Sequence, residues 1–298
     1  MKSILVALLL SISTAAAAAS LEDNYISARD GYIEKFKPAE TNVDLDEAGR
    51  KQEELARADL ENQLRQIIGP SDIKGFSAPG KSNLDTLFKG YSGFGLLDAL
   101  VYSSKDDKTH FLVTTDTLLE RWLKEHKDWW GPDVANVPQD VDAALKSEAF
   151  YTQALNTDAA ISKYVELPVA KPANAKLAFA MLAARSQDIG PRTPDELIVS
   201  VLRDGRLFVV TAPANAKVDP MPACQKLWRD ALRNAAKAHA AYVASGLKDK
   251  KLFEQSTRIE EEGDAAFHRC FAQQAKGRSF VTALTRQAQG LIDRLPAK

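Results

Sequence analysis

Two residues in the first half of the chain have the types and placement for proton transfer. His110 opens an apolar, β-branched run, and Asp116 stands where that run gives way to a helical pattern. Carboxylates at strand ends serve as general acids or bases, and an imidazole titrates near neutrality. A cell-envelope hydrolase built around Asp116 and His110 is one reading of this pair. The other is structural, since an aspartate between strand and helix caps the helix's free N–H groups, and capping is the reading preferred for Asp116.

Other chemistry-bearing residues are arranged less suggestively. Ser92 lies in Gly90-Tyr91-Ser92-Gly93-Phe94-Gly95, which misses the nucleophile-elbow pattern G-x-S-x-G because Phe94 takes the place of the second glycine. A flexible turn is expected there. The four histidines are scattered; only His268 shares a helical face with an acid, Asp264 at i−4, with Glu261 placed less well. Such a pair is expected to form a surface salt link. No H-E-x-x-H or Cys/His ligand spacing occurs, so neither metal nor cofactor is expected.

Trp129 and Trp130 resist a purely structural account. They lie between Lys127-Asp128 and Gly131-Pro132, and adjacent indoles at a helix end do not both enter one core. An exposed pair suits a protein groove, a glycan chain or a membrane interface; burial under the neighbouring proline-containing loop is the competing arrangement. These two residues are the binding candidates.

The N-terminus supplies an address. Lys2, the apolar residues 4–10 and the small residues 15–19 divide as an export signal does, with cleavage expected before Ser20. The apolar run is far below the ~20 residues that span a bilayer, and no second such run follows, so no transmembrane segment is expected after signal removal. A periplasmic or secreted location follows. With 39 basic and 40 acidic side chains the chain lacks the cationic excess of a nucleic-acid binder. Its two cysteines, Cys224 and Cys270, are expected to be joined in an oxidising compartment.

Periodicity places the supporting elements. Residues 20–43 read as an irregular arm or short helix, and 44–68 as a helix stopped by Gly69-Pro70. Residues 96–102 and 110–114 read as a hairpin, followed by a helix with a Thr117/Glu120 capping box. The Ala-rich stretches 140–155, 158–165 and 174–187 read as helices. A second hairpin, 197–202 with 207–210, is joined through Asp204-Gly205, the dipeptide of a type I′ turn; its strands are apolar throughout, so both sheet faces should be covered. An echo links Ile68-Gly69-Pro70, Phe111-Leu112-Val113-Thr114 and Trp122 with Ile189-Gly190-Pro191, Phe208-Val209-Val210-Thr211 and Trp228. Its uneven spacing favours coincidence, although duplicated halves (44–170 and 171–298) would bring the hairpins into one sheet.

The tail carries the most specific structural expectation. Residues 222–245 and 252–276 show apolar and small residues at alternating three- and four-residue spacings, joined by a short connector, as an antiparallel helical pair requires. The midpoint of the two cysteines falls on Leu247, inside that connector. Cys224 should therefore face Cys270, with Trp228 beside Ala266, Ala231 beside Gly263, Ala235 beside Ile259 and Tyr242 beside Leu252. A last helix, 279–295, should pack on the pair.

Together these readings define an α+β fold: one helix-dominated domain over 44–298, a small antiparallel sheet of two hairpins, and a disulfide-closed helical hairpin. The functional expectation is a non-catalytic periplasmic binding or accessory protein contacting another protein or an envelope component. The alternative is the hydrolase around Asp116 and His110.

Overall fold

The computed structural model describes residues 20–36, 45–69, 73, 75–77, 99–106, 108–125, 141–146, 160–186 and 194–296. Residues 1–19, Ser92, His126, Trp129 and Trp130 lie outside them, as does the Ile189-Gly190-Pro191 part of the echo.

The fold is α+β, and its sheet is larger than the two expected hairpins. Strands β1 (Phe76–Ser77), β2 (Leu100–Ser104), β3 (His110–Thr115), β4 (Ala160–Leu167), β5 (Ala175–Ser186), β6 (Glu196–Arg203) and β7 (Arg206–Pro213) form one sheet in the order β1-β2-β3-β7-β6-β5-β4. Every neighbouring pair is antiparallel. The described helices are α1 (Leu21–Phe36), α2 (Glu47–Ile68), α3 (Asp116–Glu125), α4 (Val141–Leu145), α5 (Pro222–Ala244), α6 (Lys250–Ala275) and α7 (Ser279–Ile292).

Strands β4 and β5 correct the expectation of helices at 158–165 and 174–187. Alanine, leucine and methionine favour helix locally, but propensity is a weak prior against tertiary context. Here β5 lies between β4 and β6, and its two faces enter different cores: Ala180, Leu182 and Ala184 one, Phe179, Met181 and Ala183 the other. Burial on both faces erases the polar alternation that would have marked a strand. In 140–155 only α4 appears among the described residues.

The two cores make a three-layer arrangement. One face of the sheet meets α1, α2, α5, α6 and α7 through Tyr25, Leu64, Trp228, Phe267 and Leu284, among others. The opposite face meets α3 and α4 through Leu119, Trp122, Val141 and Leu145. The Asp204-Gly205 turn joins β6 and β7 as expected, with φ of 52° and 71°, the left-handed values of a type I′ turn.

Of the two arrangements expected for this stretch, an irregular arm or a short helix, the structure has the helix, the 16-residue α1. Ser20 caps it, its Oγ accepting from the Asp23 N–H at 3.1 Å. Tyr25 and Tyr32 are buried, and the Tyr32 hydroxyl donates to Glu53 of α2 at 2.5 Å. Arg29, only 3% exposed, pairs with Glu125 of α3 at 3.0 Å, while Arg121 pairs with Asp30 at 2.6 Å. These buried rings and charge pairs convert a polar segment into a docked element.

The echo has a geometric counterpart that stops at the strands. β3 and β7 pair so that Phe111 faces Val210 and Val113 faces Phe208, symmetrically about Leu112 and Val209. The two hairpins thus lie back to back in one sheet. The following helices break the relation, because Trp122 enters one core and Trp228 the other.

The tail keeps its expected pairing at Cys224–Cys270 and Ala231–Gly263, while toward the connector Ala235 meets Ser256 instead of Ile259 and Tyr242 meets Phe253 instead of Leu252. Cys224 and Cys270 are bonded, with Cα atoms 5.5 Å apart. The Ser256 hydroxyl donates to the Ala235 carbonyl at 3.2 Å, and the Tyr242 and Phe253 rings are 5.4 Å apart. α7 packs on the same face of the sheet as this pair through Phe280, Leu284 and Ala288.

Candidate functional site

Strand β3 separates the two residues singled out for catalysis. His110 is its first residue and Asp116 follows its last, so about 20 Å of extended chain lies between them. They do not form one site. The His110 Nδ1 lies 3.1 Å from the Ser103 hydroxyl across the hairpin. Asp116 accepts from the Thr117 N–H at 3.0 Å and stands 3.7 Å from the Lys176 ammonium.

Capping of α3 falls one step away from Asp116. Its helix begins at Asp116 itself, which makes Thr115 the N-cap; the Thr115 hydroxyl accepts from the Leu118 N–H at 3.2 Å and donates to Glu22 of α1 at 2.7 Å. The expected Thr117/Glu120 box is displaced by this start. The bond to Glu22 supplies the competing cap with a second partner that the local sequence does not reveal.

Near the His110 end of the sheet, a cavity of about 350 Å³ opens between the strand ends and α7. Thr109 precedes β3 and Ala212 and Pro213 end β7; Asn215 follows, Arg286, Gln287, Gly290 and Leu291 come from α7, and Arg294 lies in the turn just after its C-cap Asp293. Gln287 fixes this junction. Its amide nitrogen donates to the Pro213 carbonyl at 2.8 Å, and its carbonyl accepts from the Asn215 N–H at 2.9 Å. The helix therefore cannot slide along the strand end without breaking two polar contacts.

Among the described residues the lining holds two guanidinium groups and no carboxylate. Arg286 stands on α7 and Arg294 in the turn that follows it, with Gly290 of α7 between them in the chain. Among the described residues neither takes part in an ion pair. Guanidinium donors with a hydroxyl and an amide nearby are the chemistry that receives carboxylate or phosphate oxygens. Leu284 and Ala288 of α7 are buried against the sheet, while Arg286 and Arg294 are exposed.

Sequence reasoning missed this groove. The usable signal was Arg286, Gly290 and Arg294 at four-residue spacing within the expected helix 279–295. That spacing sets the arginines near one another, but only the sheet order brings Thr109 and Asn215 beside them.

A second constellation behaves as expected. The His268 Nδ1 is 3.2 Å from the Asp264 carboxylate, and the imidazole packs edge-on to Tyr164 with centroids 4.9 Å apart. Among the described residues no group of three or more His, Cys, Asp or Glu side chains is placed to hold a metal ion, and no helix is long and apolar enough to cross a membrane. No family model matches the chain, and neither a curated protein nor a solved structure matches it.

Proposed function

We propose that the protein is exported and acts as a non-catalytic binding protein for an envelope component that carries acidic groups. The groove between the strand ends and α7 carries this reading: among the described residues, two arginines without ion pairs line a concave space with no acidic side chain. Its volume falls within the range of small-ligand sites, about 300–1,000 Å³. The separation of the arginines suits a ligand with acidic groups at more than one point, such as a polymer segment.

Export rests on the pattern of residues 1–19 and is supported by the disulfide, which persists in oxidising compartments. Cleavage before Ser20 would leave its new ammonium beside Asp23, whose carboxylate already accepts from the Ser20 nitrogen at 3.1 Å. The hydrolase reading gains no support, because His110 and Asp116 sit at opposite ends of β3. Trp129 and Trp130 remain binding candidates of the sequence alone.

The test is co-sedimentation of the disulfide-intact protein with isolated peptidoglycan sacculi, whose peptides bear free carboxylates. Binding that weakens with salt and falls at least tenfold in Arg286→Gln plus Arg294→Gln is expected. Retained affinity in that variant would overturn the groove; loss only in Trp129→Ala plus Trp130→Ala would move the contact to the indoles.

A further inference from the structure

The C-terminal helical pair extends well beyond the domain that anchors it. α6 reaches the sheet near its disulfide end, where Phe267 and Phe271 pack against Tyr164 of β4. Between residues 232 and 262 only Ala235 and Ser256 are buried, and these face each other across the seam. From Gly263 to the start of α6 the arm runs about 20 Å, and among the described residues only the Ala235–Ser256 contact is buried along it. The disulfide at its base and the close approach at Ala231 and Gly263 make it stiff.

The arm ends in apolar residues left to solvent. Val243 is 52% exposed, Leu247 59% and Phe253 50%, beside the stacked Tyr242. Leu247 adopts φ 62° in the connector, a left-handed conformation that glycine or asparagine takes at lower cost. Leu247 is the residue after the Gly246 cap of α5, its N–H donating to the Tyr242 carbonyl at 3.2 Å, yet more than half of its surface stays in solvent. Strain of this kind at an exposed apolar residue points to a contact made elsewhere.

The charge around these residues is basic by a small margin. Lys248, Lys250 and Lys251 are exposed, and among the described residues none of them is in an ion pair. The acid between them, Asp249, caps α6 by accepting from the Lys251 N–H at 3.1 Å, and Glu254 follows Phe253, so three lysines face two carboxylates. Exposed apolar side chains beside three lysines, with lysine in excess of the acids, match a surface with an apolar interior and a negative face. We infer that the tip of the α5–α6 arm inserts Val243, Leu247 and Phe253 into an anionic phospholipid surface while the three lysines contact its phosphates. Shallow apolar insertion and lysine attraction are each weak, and together they give reversible binding. This surface is independent of the groove on α7.

The experiment is vesicle flotation of the disulfide-intact protein without its residues 1–19. Vesicles of phosphatidylglycerol mixed with phosphatidylethanolamine are compared with phosphatidylcholine alone. Binding to the anionic vesicles only is expected, reduced at least tenfold in Leu247→Asn plus Phe253→Gln and, separately, in Lys248→Gln, Lys250→Gln, Lys251→Gln. Asparagine suits the left-handed φ, so the first variant keeps the connector, and retained circular dichroism confirms its fold. Arg286→Gln plus Arg294→Gln should float as the unmodified protein does. Absent binding, equal binding to phosphatidylcholine, or unchanged binding in the tip variants overturns the inference. Tip-dependent capture of a protein with no vesicle binding also overturns it.

Discussion

Gly263 of α6 lies against Ala231 of α5 so closely that a methyl group on the glycine would overlap the Ala231 Cβ, with Trp228 Cε3 only 3.5 Å away. Glycine lowers helix stability by about 1 kcal/mol relative to alanine, so its presence mid-helix needs a compensating contact. The contact is backbone approach between the two helices. Gly263→Ala should therefore destabilise the protein by about 1–3 kcal/mol despite its better helix propensity. Urea unfolding measures this, and adding Ala231→Gly should recover part of the loss. A stabilised Gly263→Ala would show that the helices separate freely at this level.

The bond between Cys224 and Cys270 closes a separation of 46 residues at the base of the arm. Loop-closure entropy assigns such a link about 4 kcal/mol. Cys224→Ala plus Cys270→Ala should lower the urea midpoint accordingly, and reductant should move the unmodified protein to the same midpoint. Unfolding curves that ignore reductant would mean the helical pair is held by packing alone.

Arg29 is expected to control the docking of α1. Its guanidinium is buried between Asp30 and Glu125, and Tyr25 is fully buried on the same helix. Arg29→Ala leaves Glu125 without this partner and opens space beside α3, at a cost of about 2 kcal/mol. Limited proteolysis should then cut within α1 at a protease level that leaves the unmodified protein intact, whereas Lys35→Ala should change nothing.

Acid should loosen the first turn of α1. Hydrogen bonds from the Ser20 hydroxyl and N–H hold the Asp23 carboxyl below its usual value of 3.8. A lowered folded-state pKa gives stability that is present above the unfolded value and disappears as pH falls through the folded one. Carboxyl NMR should show Asp23 titrating below 3.8, and Ser20→Ala should return it toward that value.

The parts of this fold that rest on strictly local rules were legible in the sequence. Asp204-Gly205 specifies its turn by itself, and the cysteine midpoint at Leu247 set the helical pairing at the disulfide end because a short connector makes the two helices antiparallel. Residues 160–186 were not legible as strands. Their alanines and leucines favour helix, and the ladder partners that override this preference come from β6. α1 was left open between arm and helix for a related reason: Arg29, Asp30 and Glu22 look like solvent-facing charges until α3 and Thr115 supply their partners. The groove depends on Thr109, Asn215 and Arg286, which are far apart in the chain and are joined only by the β3–β7 pairing and the Gln287 clamp.

The groove as binding site is tested most directly by placing a photocrosslinking amino acid at Asn215 and irradiating living cells. The account predicts a discrete light-dependent adduct that disappears when Arg286→Gln and Arg294→Gln are added, while the purified variant unfolds at the same urea concentration as its parent. No adduct, or one that persists without the arginines, would contradict it.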